Sequence, residues 1–161
     1  MADGSMQKDE IIPTADNARL FRDALGRFVT GVTDVTTMGP EGPVGFTANS
    51  FSSLPLDPPL VLWSPAKASQ RYPFFAAAEH FAIHILGQDQ ADWPRRFSRQ
   101  GEGFAGIEWR TNAEGVPILP GAIARFDCRR HAVHDGGDHL IIVGQVLRLA
   151  LEEGEPLVFA K

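Results

Sequence analysis

Two runs of strand-forming residues, 122–134 and 139–151, flank Asp135-Gly136-Gly137-Asp138, and this pair narrows the fold more than any other feature of the chain. Glycine and aspartate together reverse a chain tightly, so the spacing predicts a long antiparallel hairpin in the last third. Sixteen glycines and twelve prolines, spread along the sequence in short clusters, favour many short strands joined by turns over a few long helices. Further strands are predicted at 30–37, 44–48, 60–63 and 80–86, with helices at 16–28, 70–78 and 89–99. The first of these helices has Leu20, Phe21, Ala24, Leu25 and Phe28 at helical spacing, as an amphipathic helix lying on a core would, with Thr14 or Asp16 placed to cap it. Pro73 suits the first turn of the second. The prolines at 55, 58 and 59 forbid regular structure, and 101–121 is a long irregular stretch of the kind that is usually functional or mobile. One helix followed by about six strands with interposed helices describes a small closed or nearly closed antiparallel barrel.

With 161 residues, 43% hydrophobic and 22% charged, the chain is expected to form one globular domain at 16–161, preceded by a polar arm at 1–15. Its net charge of −5 argues against a nucleic-acid partner. No apolar run reaches the length of a membrane span, and MADGSMQKDE lacks the apolar stretch of a signal peptide, so a soluble cytoplasmic protein is expected. Cys128 is the only cysteine, which excludes an intrachain disulfide and any all-thiolate metal site.

Several patterns imitate known chemistry. Gly101, Gly103 and Gly106 spell GxGxxG, but the segment before them is helical and the residues after them are broken up by glycines and prolines, so it reads as a loop. Cys128, His131, His134 and His139 have metal-like spacing, yet strand alternation turns His131 and His134 to opposite faces and two arginines lie among them. Cys128 reads as a packing residue, since nothing adjacent would stabilise its thiolate. His80 and His84 share the polar face of a strand and read as structural.

Two polar loops each follow an apolar strand. Thr47-Ala48-Asn49-Ser50-Phe51-Ser52-Ser53 and Ser64-Pro65-Ala66-Lys67-Ala68-Ser69 offer small hydrogen-bonding groups in a row, and Lys67 adds a charge suited to a phosphate near a helix start. Serine, threonine and asparagine are also ordinary turn formers, so both readings stand. His139 likewise reads either as a ligand-facing group at a barrel rim or as a histidine satisfied at a strand end.

Taken in order, Leu25-Gly26-Arg27-Phe28, Thr30-Gly31-Val32, Gly45-Phe46-Thr47-Ala48-Asn49-Ser50-Phe51, Leu56-Asp57-Pro58-Pro59-Leu60 and Gly137-Asp138-His139 with Gly144 and Val146 resemble the flavin reductase family over 21–159. The resemblance implies a mostly β fold: a six-stranded antiparallel split β-barrel of Greek-key type that binds FMN, with a few flanking α-helices. It implies an NAD(P)H:flavin oxidoreductase that reduces FMN or FAD with NADH or NADPH and supplies a flavin-dependent oxygenase, commonly as a homodimer. Thr47, Ala48, Asn49, Ser50, Phe51 and Ser53 would line the isoalloxazine, and Trp63 and Ser64 would flank it. Lys67, Ala68 and Ser69 would hold the ribityl phosphate. Phe97 would lie near the flavin entrance and His139 by the nicotinamide. A flavin-binding oxidase or FMN carrier on the same fold is the alternative.

Overall fold

The structure, a computed structural model, describes residues 10–25, 27–54, 57–98 and 103–159. Most of the expected arm at 1–15, and Gly26, Leu56 and Gly101 among the motif residues, lie outside these. Contacts divide the chain into 30–159 and a smaller unit formed by 1–29 with 160–161. In the smaller unit a 3-10 turn, Ala15–Asn17, leads into α1, Ala18–Leu25. Of the two expected caps it is Thr14, not Asp16, that stands at the N-cap, and its amide donates to Asn17 Oδ1 at 2.7 Å. The amphipathic spacing does produce a helix, but none of its residues is buried, contrary to the expectation of a helix lying on a core.

Among the described residues the larger unit has eleven strands and two α-helices. The strands are β1 Thr30–Gly31, β2 Thr33–Gly39, β3 Gly42–Ala48, β4 Ser52–Ser53, β5 Leu60–Trp63, β6 His80–Ile85, β7 Arg110–Thr111, β8 Pro117–Ile118, β9 Ala124–Gly136, β10 His139–Leu151 and β11 Val158–Phe159. The helices are α2 Tyr72–Ala77 and α3 Trp93–Ser98. Seven strands form one antiparallel sheet in the order β3-β2-β6-β9-β10-β5-β4 that does not close on itself, a split barrel. The seventh strand is β4, only two residues long, which lies in the segment read as a polar break; the other six are the expected ones.

The predicted hairpin is present, with 13 residues in each of β9 and β10. Gly137 turns the chain with φ 78°, a left-handed conformation that glycine adopts without a Cβ clash. Register shifts at Val143/Gly144 and Val146/Arg148 bend the ribbon, as bulges do. On the inner face Trp63, Phe75, Phe81, Ile83, Val35 and Ile142 are buried together, with Trp63 edge-on to Phe75 at 5.1 Å between ring centroids. Cys128 belongs to this cluster, and burial pushes its thiol up to about 12, so packing is its role.

The outer face is also covered. Thr33, Asp34, Val35, Thr36 and Thr37 of β2 are all buried, which a strand with one wet face could not show. The cover comes from the stretch expected to be irregular. Its described part forms the β7–β8 hairpin and buries Val116, Ile118 and Leu119. Thr36 Oγ1 donates to the Pro117 carbonyl at 2.6 Å, and the Leu119 amide donates to His84 Nε2 at 3.0 Å. His84 is therefore structural, as expected, but on a face that is buried instead of solvated. Farther along, Asp127 has no exposed side-chain surface and binds Arg125 at 2.9 Å and Arg148 at 2.8 Å. Burial alone would raise its pKa, but these bonds outweigh it and hold the carboxyl below the ordinary range. Among the described residues no helix is long and apolar enough to cross a membrane.

Candidate functional site

Three segments converge at one end of the barrel because strand pairing and loop bonds bring them there. The Ser64 amide donates to Ser50 Oγ at 2.9 Å, tying the loop after β3 to the loop after β5. The Lys67 amide donates to the Asp138 carbonyl at 2.8 Å and the Leu140 amide to the Pro65 carbonyl at 3.1 Å. Ala66 forms a β-bridge with His139. The second polar loop is thus stitched to the tip of the β9–β10 hairpin, which neither sequence segment reveals alone.

Thr47 lies at the end of β3, half-buried, and its hydroxyl donates to Asp34 Oδ1 at 2.6 Å. Ala48 is buried, and its carbonyl accepts the Thr33 hydroxyl at 2.8 Å. Asn49 and Ser53 are exposed, and Phe51 stacks on Phe126 at 5.7 Å. Trp63 differs from the ring expected to flank a ligand: it is completely buried in the inner core, so its indole has no surface left for one. Ala68 is exposed and Ser69 half-buried, its Oγ accepting the Arg71 amide at 3.2 Å.

Lys67 pairs with Asp135, which raises the lysine pKa and lowers that of the carboxyl. His139 Nδ1–H donates to Asp138 Oδ1 at 2.9 Å. A carboxylate only accepts, so this bond fixes the proton on Nδ1 and leaves Nε2 as the outward edge of the ring.

A cavity of about 190 Å³ is lined by Phe46, Thr47, Ser69, Arg71 and Phe97. It shares Arg71 and Phe97 with a larger one of about 300 Å³, to which Gly45, Phe74, Gly103 and Phe104 also contribute. Phe97 is buried between two glycines: a Cβ on Gly45 would lie 2.4 Å from its ring and one on Gly103 2.6 Å away. Arg71 is the residue that sequence reasoning missed. Its guanidinium has no hydrogen-bond or ion-pair partner among the described residues, and burial alone lowers its pKa. An unpaired, partly desolvated guanidinium in a cavity with two hydroxyls is built to meet an anion. The signal was its place just beyond the polar loop, at the start of a segment read only as helix.

Comparison with known proteins gives this geometry a context. Residues 25–161 match the family model described as flavin reductase like domain. The chain is 58% identical over 149 residues to the FMN reductase (NADH) SmoA of Agrobacterium fabrum, covering 92% of this chain and 86% of that one. It is 44% identical to the reductase subunit HsaB of a flavin-dependent monooxygenase of Mycobacterium tuberculosis, over 82% of this chain and 71% of the other. Among solved structures, the NADH:FAD oxidoreductase SgcE6 of Streptomyces globisporus superposes with a TM-score of 0.86 at 35% identity, covering 95% of this chain and 93% of that one. The chain belongs to the flavin reductase family.

Proposed function

We propose that this chain reduces flavin with NADH and passes the reduced flavin to a partner oxygenase. The observation that carries the reading is the cavity in which the Thr47 and Ser69 hydroxyls, the partly buried Phe46 wall and an Arg71 guanidinium without a partner among the described residues meet. FMN asks for those groups: an apolar wall for its ring, hydrogen-bonding groups for its heteroatoms and a cation for its phosphate. The 58% identity to an NADH-dependent FMN reductase supports both the flavin and the reductant. The names of the monooxygenase reductase subunits support the oxygenase.

Flavin bound at this site supplies the two-electron acceptor for hydride leaving a reduced nicotinamide. The chain's task is alignment and charge. Thr47 to Phe51 and Ser53 frame the ring side, while Ser64, Lys67, Ala68 and Ser69 with Arg71 hold the ribityl phosphate. His139 presents its Nε2 edge at the rim, where it positions the nicotinamide. Because no general acid is needed for direct hydride passage, the few polar groups present suffice. The working unit is 16–161, and residues 1–15 are dispensable for flavin reduction. Exposed Leu20, Phe21, Leu25 and Phe28 support a homodimer, which sedimentation tests. The single buried cysteine suits the reducing cytoplasm.

Anaerobic mixing with NADH is the test: FMN absorbance should bleach far faster with protein than without. His139→Ala should slow hydride transfer and raise the KM for NADH while leaving FMN affinity unchanged. A protein that binds FMN but does not accelerate bleaching would be a carrier and not a reductase.

A further inference from the structure

Asp34 is the second residue of β2 and has no exposed surface. The register places it between Thr47 of β3 and His84 of β6, so three polar side chains form one row across three strands. Its Oδ1 accepts the Thr47 hydroxyl, while its Oδ2 is buried without a partner among the described residues. An ionised carboxylate with one unanswered oxygen is expensive in such a place.

The surroundings supply little compensation. His84 is neutral: its Nδ1–H donates to the Asp34 backbone carbonyl at 3.0 Å, its Nε2 accepts from Leu119, and burial lowers its pKa to about 4. Arg125 of β9 is committed to Asp127. The cations of α3 are Arg95 and Arg96, of which Arg96 donates to the Ala105 carbonyl at 3.3 Å. Burial raises the Asp34 pKa to about 7, and the Thr47 bond opposes that rise without cancelling it.

Thr47 Oγ1 has a second acceptor, the Pro94 carbonyl at 3.3 Å. A hydroxyl has one proton to give. With Asp34 ionised, that proton is held by Oδ1 and Thr47 offers the cavity only lone pairs. With Asp34 protonated, its carboxyl O–H can donate to Thr47, which frees the hydroxyl proton for Pro94 or for a ligand.

We propose that Asp34 is a positioning residue for flavin binding: its protonation switches the Thr47 hydroxyl from acceptor to donor at the cavity. The inference rests on the reading of that cavity as the flavin site. The oxidised flavin ring edge is rich in acceptors, so oxidised flavin binds more tightly to the protonated form.

The experiment measures the Kd for oxidised FMN by fluorescence quenching from about pH 6 to about pH 8.5, bracketing the range in which the carboxyl titrates. Wild type, Asp34→Asn and Thr47→Val are compared. The FMN phosphate titrates near pH 6 in every variant, so the ratio of wild-type to variant affinity isolates Asp34. In wild type that ratio should fall about five-fold as pH rises, the worth of one neutral hydrogen bond. Relative to each other, the two variants should show no such change. In the flavin-free protein, the ¹³C shift of the Asp34 carboxyl should titrate near neutrality and move to higher pH in Thr47→Val. An Asp34→Asn protein that keeps the wild-type profile overturns the proposal, as does a Thr47→Val protein that keeps it if Asp34→Asn fails to fold. Failure of wild type to bind FMN at any pH overturns the flavin reading itself and the inference with it.

Discussion

The two faces of the β2–β6–β9 region are both buried but held by different physics. Inside, Trp63, Phe75, Phe81 and Ile83 fill space, and their contacts are additive and weakly directional. Outside, Thr36, His84 and Asp127 are secured by individual hydrogen bonds to the 103–121 cover and to neighbouring strands. The inner face tolerates small shifts at a graded cost, whereas the outer one specifies register and proton position. The candidate site inherits the second property, since the row that ends at Thr47 passes through Asp34 and His84.

The contrast can be broken most severely from inside. Trp63→Ala removes the largest side chain of the core and should cost about 3–5 kcal/mol in denaturant unfolding. A cost near zero would mean the ring is not the keystone of that cluster.

On the outer face pH is the sharper instrument. Burial holds His84 neutral with its pKa lowered to about 4, so the unfolded chain takes up a proton that the folded one refuses. Its contribution to stability is therefore lost as pH falls from about 6.5 to about 4. Asp34 acts in the opposite sense: its raised pKa of about 7 makes the folded state hold a proton that the unfolded chain has released. Its contribution is complete below the unfolded pKa and is lost as pH rises through 7. The two slopes oppose each other between about pH 4 and 6.5, so wild-type stability should vary little there. Asp34→Asn should unmask a rise in stability with pH across this window and exceed wild type by about 4 kcal/mol at pH 8. Parallel profiles for the two proteins would show that Asp34 does not titrate as its burial implies.

The smallest effect comes from a single bond. Thr36→Val keeps the shape but leaves the Pro117 carbonyl without its donor, at a cost of about 1–2 kcal/mol. Amide exchange should accelerate in 103–121 before it does in β6, and uniform acceleration would contradict a locally fastened cover.

These faces were unequally legible. Alternation, the Asp-Gly turn and the spacing of prolines marked β2, β3, β5, β6, β9 and β10, because strand and turn preferences are local. The polar loops were visible for the same reason. The meeting of loops could not be read, since Ser50 finds Ser64 and Ala66 finds His139 only through the sheet order. The cover was hidden too: 103–121 lacks periodicity, and the bonds that fasten it to the sheet run to side chains of distant elements. Asp34 stood as a charged residue in a β-branched run, and only burial of both faces of β2 gives it meaning.

The pairing of β5 with β10 also has a consequence for synthesis. Trp63 finds its partner Ile142 about 80 residues further along the chain. At roughly 5–20 residues per second, several seconds pass before that partner is made. Until then β5 has only the two residues of β4 beside it, and its apolar Leu60-Val61-Leu62-Trp63 edge is open to other nascent chains. The loop carrying Lys67 and Ser69 can be fastened only after the hairpin tip exists, so ligand binding is among the last properties the growing polypeptide acquires.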